Sequence, residues 1–317
     1  MSTVDQGLAF IFPGQGSQSI GMLAELAESF SEVQGTFSEA SDVLGYDLWS
    51  IVQVGPEEKL NSTCYTQPAM LAAGVAAWRV WCSESRVRPT WMAGHSLGEY
   101  TALVCAGSLS FPAGLSLVAE RARLMQEAVP GDVGAMAALL GLDDDKVVEV
   151  CAAASSAGGE TVSAANFNAP GQVVIAGHRG AVAQAIELAK AAGAKRAVLL
   201  PVSVPSHCGL MKPAAEQFKT RLHEAEFFMP AIRVVHNESA LASPDVVAIG
   251  AALERQLYSP VRWTDSIRYI AGQGVDRFVE CGPGRVLSGL NKRIAPEART
   301  ESIHDVPSLT KAKELIS

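Results

Sequence analysis

Residues 89–107 read PTWMAGHSLGEYTALVCAG. The first six residues suit a short buried strand, and LGEYTALVCAG has the make-up of a helix. Between them lies Gly94-His95-Ser96-Leu97-Gly98, a serine flanked two residues away on each side by glycine. Strand, tight turn and helix in that order are the setting in which a serine is presented as a nucleophile. Glycine is needed because neighbouring backbone crowds such a turn. Ser96 then stands at a helix N-terminus, whose N–H groups can stabilise a developing oxyanion. The plainer reading is a serine capping a buried helix.

The same alternation recurs on either side. LAFIFPGQGSQ (8–18) reads as a buried strand entering a glycine loop, and helical periodicity follows through Met22, Leu23, Leu26 and Phe30. QPAMLAAGVAAWRVWC (67–82) reads as a buried helix with Pro68 near its start. RFVECGPG (277–284) is another strand ending in a glycine loop. Together these predict an α/β protein with a mostly parallel sheet covered by helices.

The middle of the chain changes character. GDVGAMAALLG, DDDKVVEVCAAAS, the two strands of TVSAANFNAPGQVVIAG, RGAVAQAIELAKAAG and KRAVLLPV follow in the order β-α-β-β-α-β. That order is the ferredoxin-like pattern. It predicts a small domain at 131–202 inserted into a large discontinuous domain, 1–130 with 203–317. The tail KAKELIS (311–317) is expected to be a solvated end.

The bulk numbers exclude several classes. The 317 residues are 48% apolar and 18% charged, with a net charge of −8, and they carry ample material for a core. That charge speaks against nucleic acid, whose binding usually needs a basic face. The N-terminus has no signal-peptide pattern, and no stretch approaches the roughly 18 apolar residues of a membrane span. The six cysteines, Cys64, Cys82, Cys105, Cys151, Cys208 and Cys281, show no CxxC spacing. They suggest a reducing cytoplasm and neither a zinc site nor a disulfide framework.

A nucleophilic serine needs a base, and the chain has six histidines. His95 should point away from Ser96 at a tight turn. His178, His223 and His304 lie in polar surroundings. His236 ends the strand IRVVH and is the second choice. His207 follows AVLLPVSVPS, a strand running into a proline-punctuated loop, which is where α/β sheets carry their sites. No acid announces itself as a partner for His207. Arg121 lies on the apolar stripe Leu117, Val118, Ala122 and Met125, so a guanidinium that cannot lose its proton faces inward. It needs an anion: an internal one such as Glu99, or a substrate carboxylate held bidentately. Gly14-Gln15-Gly16 lacks the third glycine of a dinucleotide fingerprint. The loop could aim a backbone N–H and the Gln15 amide at an oxyanion, or be a plain turn.

With these residues in place, the sequence resembles the bacterial malonyl-coenzyme A:acyl carrier protein transacylases of fatty acid synthesis. FPGQGSQ, TQPA, GHSLGEY, RARLMQEAVP, NFNAPGQVVIAG, PVSVPSHCGLM, QLYSPVRW and VECGPG carry the resemblance along nearly the whole chain. It implies an α/β-hydrolase-like large domain with the ferredoxin-like insert. It implies Ser96 as nucleophile, His207 as base and Arg121 on the malonyl carboxylate. Gln15 and the Leu97 N–H would form the oxyanion hole, the Gln256 carbonyl would orient the histidine in place of an acid, and Asn166 would sit near the substrate. No cofactor or metal is implied, only malonyl-coenzyme A and the holo carrier protein. A local basic patch, Lys195-Arg196 or Arg285 with Lys292-Arg293, is expected to meet the acidic carrier. A monomer is expected. The alternatives are a serine hydrolase or thioesterase, a polyketide-pathway transacylase, and a non-catalytic carrier-binding module.

Overall fold

A computed structural model describes residues 2–155, 159–202 and 204–316. Ser203, where the large domain was expected to resume, and the terminal Met1 and Ser317 lie outside the described residues. The chain forms nine strands among the described residues: β1 (Thr3–Phe12), β2 (Val87–Gly94), β3 (Gly134–Leu140), β4 (Val162–Ala169), β5 (Gln172–His178), β6 (Arg196–Leu199), β7 (Arg233–Val235), β8 (Arg277–Cys281) and β9 (Arg299–Ile303).

Five strands form a sheet in the order β7-β2-β1-β8-β9, and every pairing in it is parallel. Its centre is β1, where Leu8 to Phe12 are all fully buried. Strand side chains alternate between faces, so one strand serves two cores. Leu8, Phe10 and Phe12 join the core built on the helix Thr63–Glu84, while Ala9 and Ile11 pack with Trp263, Ile267 and Phe278 on the other face. That helix begins five residues before Pro68, so the proline stands inside it rather than at its start.

The other four strands form an antiparallel sheet in the order β4-β5-β3-β6. The helices Asp144–Ala154 and Arg179–Ala191 cover one face, against Ala137, Leu139, Val173 and Ile175. The β4–β5 hairpin turns at Pro170-Gly171, with Gly171 at φ +68°. The opposite face carries Met136 and Val174, which line a cleft against the C-terminal edge of the large sheet. The two sheets are joined by backbone bonds: Phe167 N–H donates to the Val261 carbonyl (2.9 Å), and Val261 N–H donates to the Ala165 carbonyl (2.8 Å).

The expected solvated tail is corrected. Val306–Leu315 is a helix opened by a capping box between Asp305 and Ser308. Leu309, Ala312 and Leu315 recur at three-residue spacing on one face and are buried in the large core. The lysines between them made the segment look polar although one stripe is not. No helix of the described residues is long and apolar enough to cross a membrane.

Leu309→Ala should therefore cost about 2–3 kcal/mol in a urea melt, whereas the exposed Lys311→Ala should stay within about 0.5 kcal/mol of the parent. Equal, small effects would return the tail to solvent.

Candidate active site

The cleft lies where strands β1, β2, β7 and β8 end, the edge at which parallel sheets collect their functional loops. It has a volume of about 240 Å³ and is walled on the far side by the small sheet.

Ser96 sits between β2 and the helix Gly98–Cys105, at φ +53°. A non-glycine residue adopts this left-handed conformation only under constraint. The constraint is crowding: a Cβ on Gly94 would fall 1.8 Å from the Gly98 carbonyl carbon, and one on Gly98 would fall 2.1 Å from the Phe12 carbonyl oxygen. The Ser96 N–H donates to Asn237 Oδ1 (2.7 Å), and Asn237 Nδ2 donates to the Gly94 carbonyl (2.7 Å). One asparagine thus clamps both sides of the turn.

His207 is 3% exposed and also has positive φ, +61°. Its Nε2 lies 2.7 Å from Ser96 Oγ, and its Nδ1 lies 2.8 Å from the Gln256 main-chain oxygen. A carbonyl only accepts, so Nδ1 carries the proton and Nε2 is bare toward the serine hydroxyl. Burial, and then the Arg121 charge, push His207 down to about 3. The imidazole is therefore neutral and able to accept a proton across the ordinary pH range.

Arg121 is 1% exposed on the helix Phe111–Glu127. Its Nη1 donates to Gln67 Oε1 (2.8 Å), and its Nη2 to Gln256 Oε1 (3.0 Å) and Ser96 Oγ (3.2 Å). All three acceptors are neutral. Glu99 is not in direct ion-pair contact with Arg121: its carboxylate accepts from His236 Nδ1 (2.7 Å), the Asn237 N–H (3.0 Å) and Gln256 Nε2 (2.8 Å). A buried guanidinium surrounded by neutral oxygens, open to a cleft, is matched to an incoming carboxylate.

Gln15 and Leu97 line the cleft beside Ser96. The Gln15 side chain reaches Thr63 Oγ1 only weakly, at 3.5 Å. Leu97 directly precedes the helix Gly98–Cys105, whose first N–H groups gather the positive end of the helix dipole. Asn166, on β4, is 6% exposed and also lines the cleft. Its neighbour Asn168 holds His95, with Nε2 2.8 Å from Asn168 Oδ1, so His95 is turned to the small sheet. His236, the second choice as base, has both nitrogens engaged elsewhere, by Glu99 and by Ser243 Oγ at 2.6 Å.

Sequence reasoning missed Gln67, Asn168 and Asn237, and of the two anions it offered Arg121 the internal one, Glu99, is bonded elsewhere. Gln67 and Asn168 lie in TQPA and NFNAPG, segments already singled out. Asn237 had no signal beyond following a strand end, as Ser96 does. Of the basic candidates, Lys195 and Arg293 line one groove at the junction of the small sheet with the helix Val286–Ile294, while Arg196, Arg285 and Lys292 are exposed. Among the described residues no cluster of His, Cys, Asp or Glu could hold a metal ion.

The acyl transferase domain family matches residues 9–313. The chain is 53% identical over 304 residues to the malonyl CoA-acyl carrier protein transacylase of Salmonella typhimurium, covering 96% of this chain and 98% of that one. It is 44% identical to the Bacillus subtilis protein of the same name, over 94% of this chain and 93% of that one. Among solved structures, the acyl carrier protein S-malonyltransferase of Vibrio cholerae aligns with a TM-score of 0.94 at 54% identity, covering 96% and 99% of the two chains. A malonyl-transacylase solved in complex with its type II PKS acyl-carrier protein aligns with a TM-score of 0.95 at 54% identity, over 97% and 99%.

The backbone constraint at Ser96 has a measurable signature. Ser96→Gly should be more stable than Ser96→Ala by about 1 kcal/mol, because only glycine enters the left-handed region freely. Equal melting in urea would mean that the turn is not strained.

Proposed function

We propose, for a chain that belongs to the malonyl CoA-acyl carrier protein transacylases, that Ser96 Oγ carries the malonyl group between two thiols with His207 as its base. The protein transfers malonyl from malonyl-coenzyme A to the phosphopantetheine thiol of acyl carrier protein and so supplies fatty acid synthesis. The observation that carries the assignment of residues is the Ser96 Oγ–His207 Nε2 contact of 2.7 Å, with Arg121 3.2 Å from the same oxygen.

In the first half-reaction Nε2 takes the Ser96 proton while Oγ attacks the thioester carbon. The tetrahedral oxyanion is held by the Gln15 and Leu97 backbone N–H groups. Collapse breaks the carbon–sulfur bond, and the leaving thiolate of coenzyme A takes the proton from Nε2. In the second half-reaction the carrier thiol gives its proton to Nε2 and attacks the malonyl ester, and Ser96 Oγ leaves with that proton. The Gln256 carbonyl keeps the imidazole in the tautomer both steps require. Arg121 pairs with the free malonyl carboxylate, which selects the acyl group and fixes the thioester for attack. Asn166 stands beside the acyl chain.

We further take residues 131–202 as a small domain that forms one wall of the cleft, between the two parts, 1–130 and 203–317, of the large one. The Lys195 and Arg293 groove is the proposed docking point for the acidic carrier. A cytoplasmic setting fits six free cysteines, and we keep the monomer expected from the sequence.

Incubation with malonyl-coenzyme A alone should add one malonyl group to the Ser96 peptide, and none in Ser96→Ala, by intact mass and peptide mapping. Holo carrier protein should then discharge it, more slowly in a Lys195→Glu variant whose Ser96 loads normally. Steady malonate release without an adduct would make the protein a hydrolase instead.

The depressed His207 sets the pH profile. Its folded pKa lies below the ordinary value, so acid does not protonate the base until far below pH 6. Single-turnover loading should change less than about threefold between pH 7.5 and 5, where an unperturbed imidazole would lose about thirtyfold. For stability the sign is the opposite of protective. The unfolded chain gains a proton below about pH 6.5 that the folded site refuses, so this group lowers stability as the pH falls from there toward about 3. A loading rate that halves near pH 6.5 would show that His207 is not the buried neutral base.

A further inference from the structure

The Ser96–His207 pair has no acid of its own, yet Glu99, a fully buried carboxylate, lies two hydrogen bonds away through Gln256. Glu99 stands in the first turn of the helix that follows Ser96. Its Oε2 accepts from Gln256 Nε2 (2.8 Å) and the Asn237 N–H (3.0 Å), and its Oε1 accepts from His236 Nδ1 (2.7 Å). A carboxylate only accepts, so it decides which end of the Gln256 amide faces it. With Nε2 turned to Glu99, and also donating to the Ser96 carbonyl at 3.0 Å, Oε1 must face Arg121 Nη2, 3.0 Å away.

We propose that Glu99 is a positioning residue for Arg121, acting through the Gln256 amide. Its carboxylate locks that amide in the orientation that presents Oε1 to the guanidinium, and its charge offsets the buried cation from one amide away. A direct ion pair would occupy the guanidinium and compete with an acyl carboxylate. The relay instead holds Arg121 by neutral oxygens and leaves its charge for the substrate. The inference rests on the reading in which Arg121 receives the malonyl carboxylate, and it makes Glu99 a determinant of acyl selectivity.

Glu99→Gln is a close isostere. Its oxygen can keep Asn237 and Gln256, and its amide NH2 can donate to His236 Nδ1 if the imidazole proton moves to Nε2 and donates to Ser243 Oγ, 2.6 Å away. The substitution therefore removes the charge and the one-way lock while leaving the packing filled.

The experiment reads single-turnover loading of Ser96 by malonyl-coenzyme A and by acetyl-coenzyme A, which has no free carboxylate. Glu99→Gln should slow malonyl loading about tenfold and acetyl loading less, so the preference for malonyl narrows. In an Arg121→Met background the same substitution should narrow nothing further. A folded Glu99→Gln with an unchanged malonyl-to-acetyl ratio overturns the inference, whether both rates hold or both fall together, because a general effect on the elbow would not discriminate the two acyl groups. If Glu99→Gln does not fold by circular dichroism, Gln256→Met decides. It keeps the main-chain carbonyl that His207 uses and cuts the link between Glu99 and Arg121. The same narrowing supports the inference, and an unchanged ratio overturns it. Wild-type protein that forms no malonyl ester on Ser96 would overturn the parent reading of the site, and this inference with it.

Discussion

Three stretches of backbone meet at Ser96 with no room for a side chain between them. Gly94 closes strand β2, Gly98 opens the next helix, and the carbonyl of Phe12 at the end of β1 lies against Gly98. That contact holds the serine in a conformation it would not choose and brings the ends of β1 and β2 within reach of one another. The β1 loop carries Gln15, the turn after β2 carries Ser96 and Leu97, and the loop after β7 supplies Asn237 to clamp the turn. Widening the approach by one methyl group would move the serine relative to the loops that serve it.

The second organising fact is how the buried charges are shared out. Arg121 and Glu99 are both buried, and a direct pair between them would have been the simplest way to satisfy both. They are instead separated by Gln256, which contacts Glu99, Arg121 and the Ser96 carbonyl with its side chain and His207 with its main chain. The proposed dyad therefore dispenses with an acid on the histidine because a carbonyl suffices to set the tautomer. Both the base and the arginine are fixed by one residue at the end of the helix Val246–Gln256.

Much of this was legible in the sequence. The strands and helices around Ser96 announced themselves through apolar runs bounded by glycine, and the middle segment through its order of elements. Ser96, His207 and Arg121 could be singled out by residue type and position alone, and the Gln256 carbonyl by family resemblance. What was not legible depends on long-range approach. The Asn237 clamp, the Asn168–His95 contact and the partners of Glu99 join residues 73 to 157 positions apart, and no local pattern reports such pairs. The tail misled for a different reason: Lys311 and Lys313 alternate with its buried residues along the chain, so composition hid a stripe that only helical geometry brings together.

The backbone bonds between β4 and Val261 bear on how this cleft can work. The small sheet is stitched to the large unit by a short ladder, reinforced where Thr264 Oγ1 donates to the Phe167 carbonyl (3.1 Å) and Arg293 reaches the Pro170 carbonyl and Gln172 Oε1. A wall fastened in this way would have to part these bonds to swing as a lid. In the proposed reaction a long flexible thiol arm would enter past this wall, and the ester on Ser96 would stand beside it between the two half-reactions. Its protection from water would then draw on the apolar lining of Met136, Val174, Leu200 and Val202 and on the proposed seat of the carboxylate at Arg121.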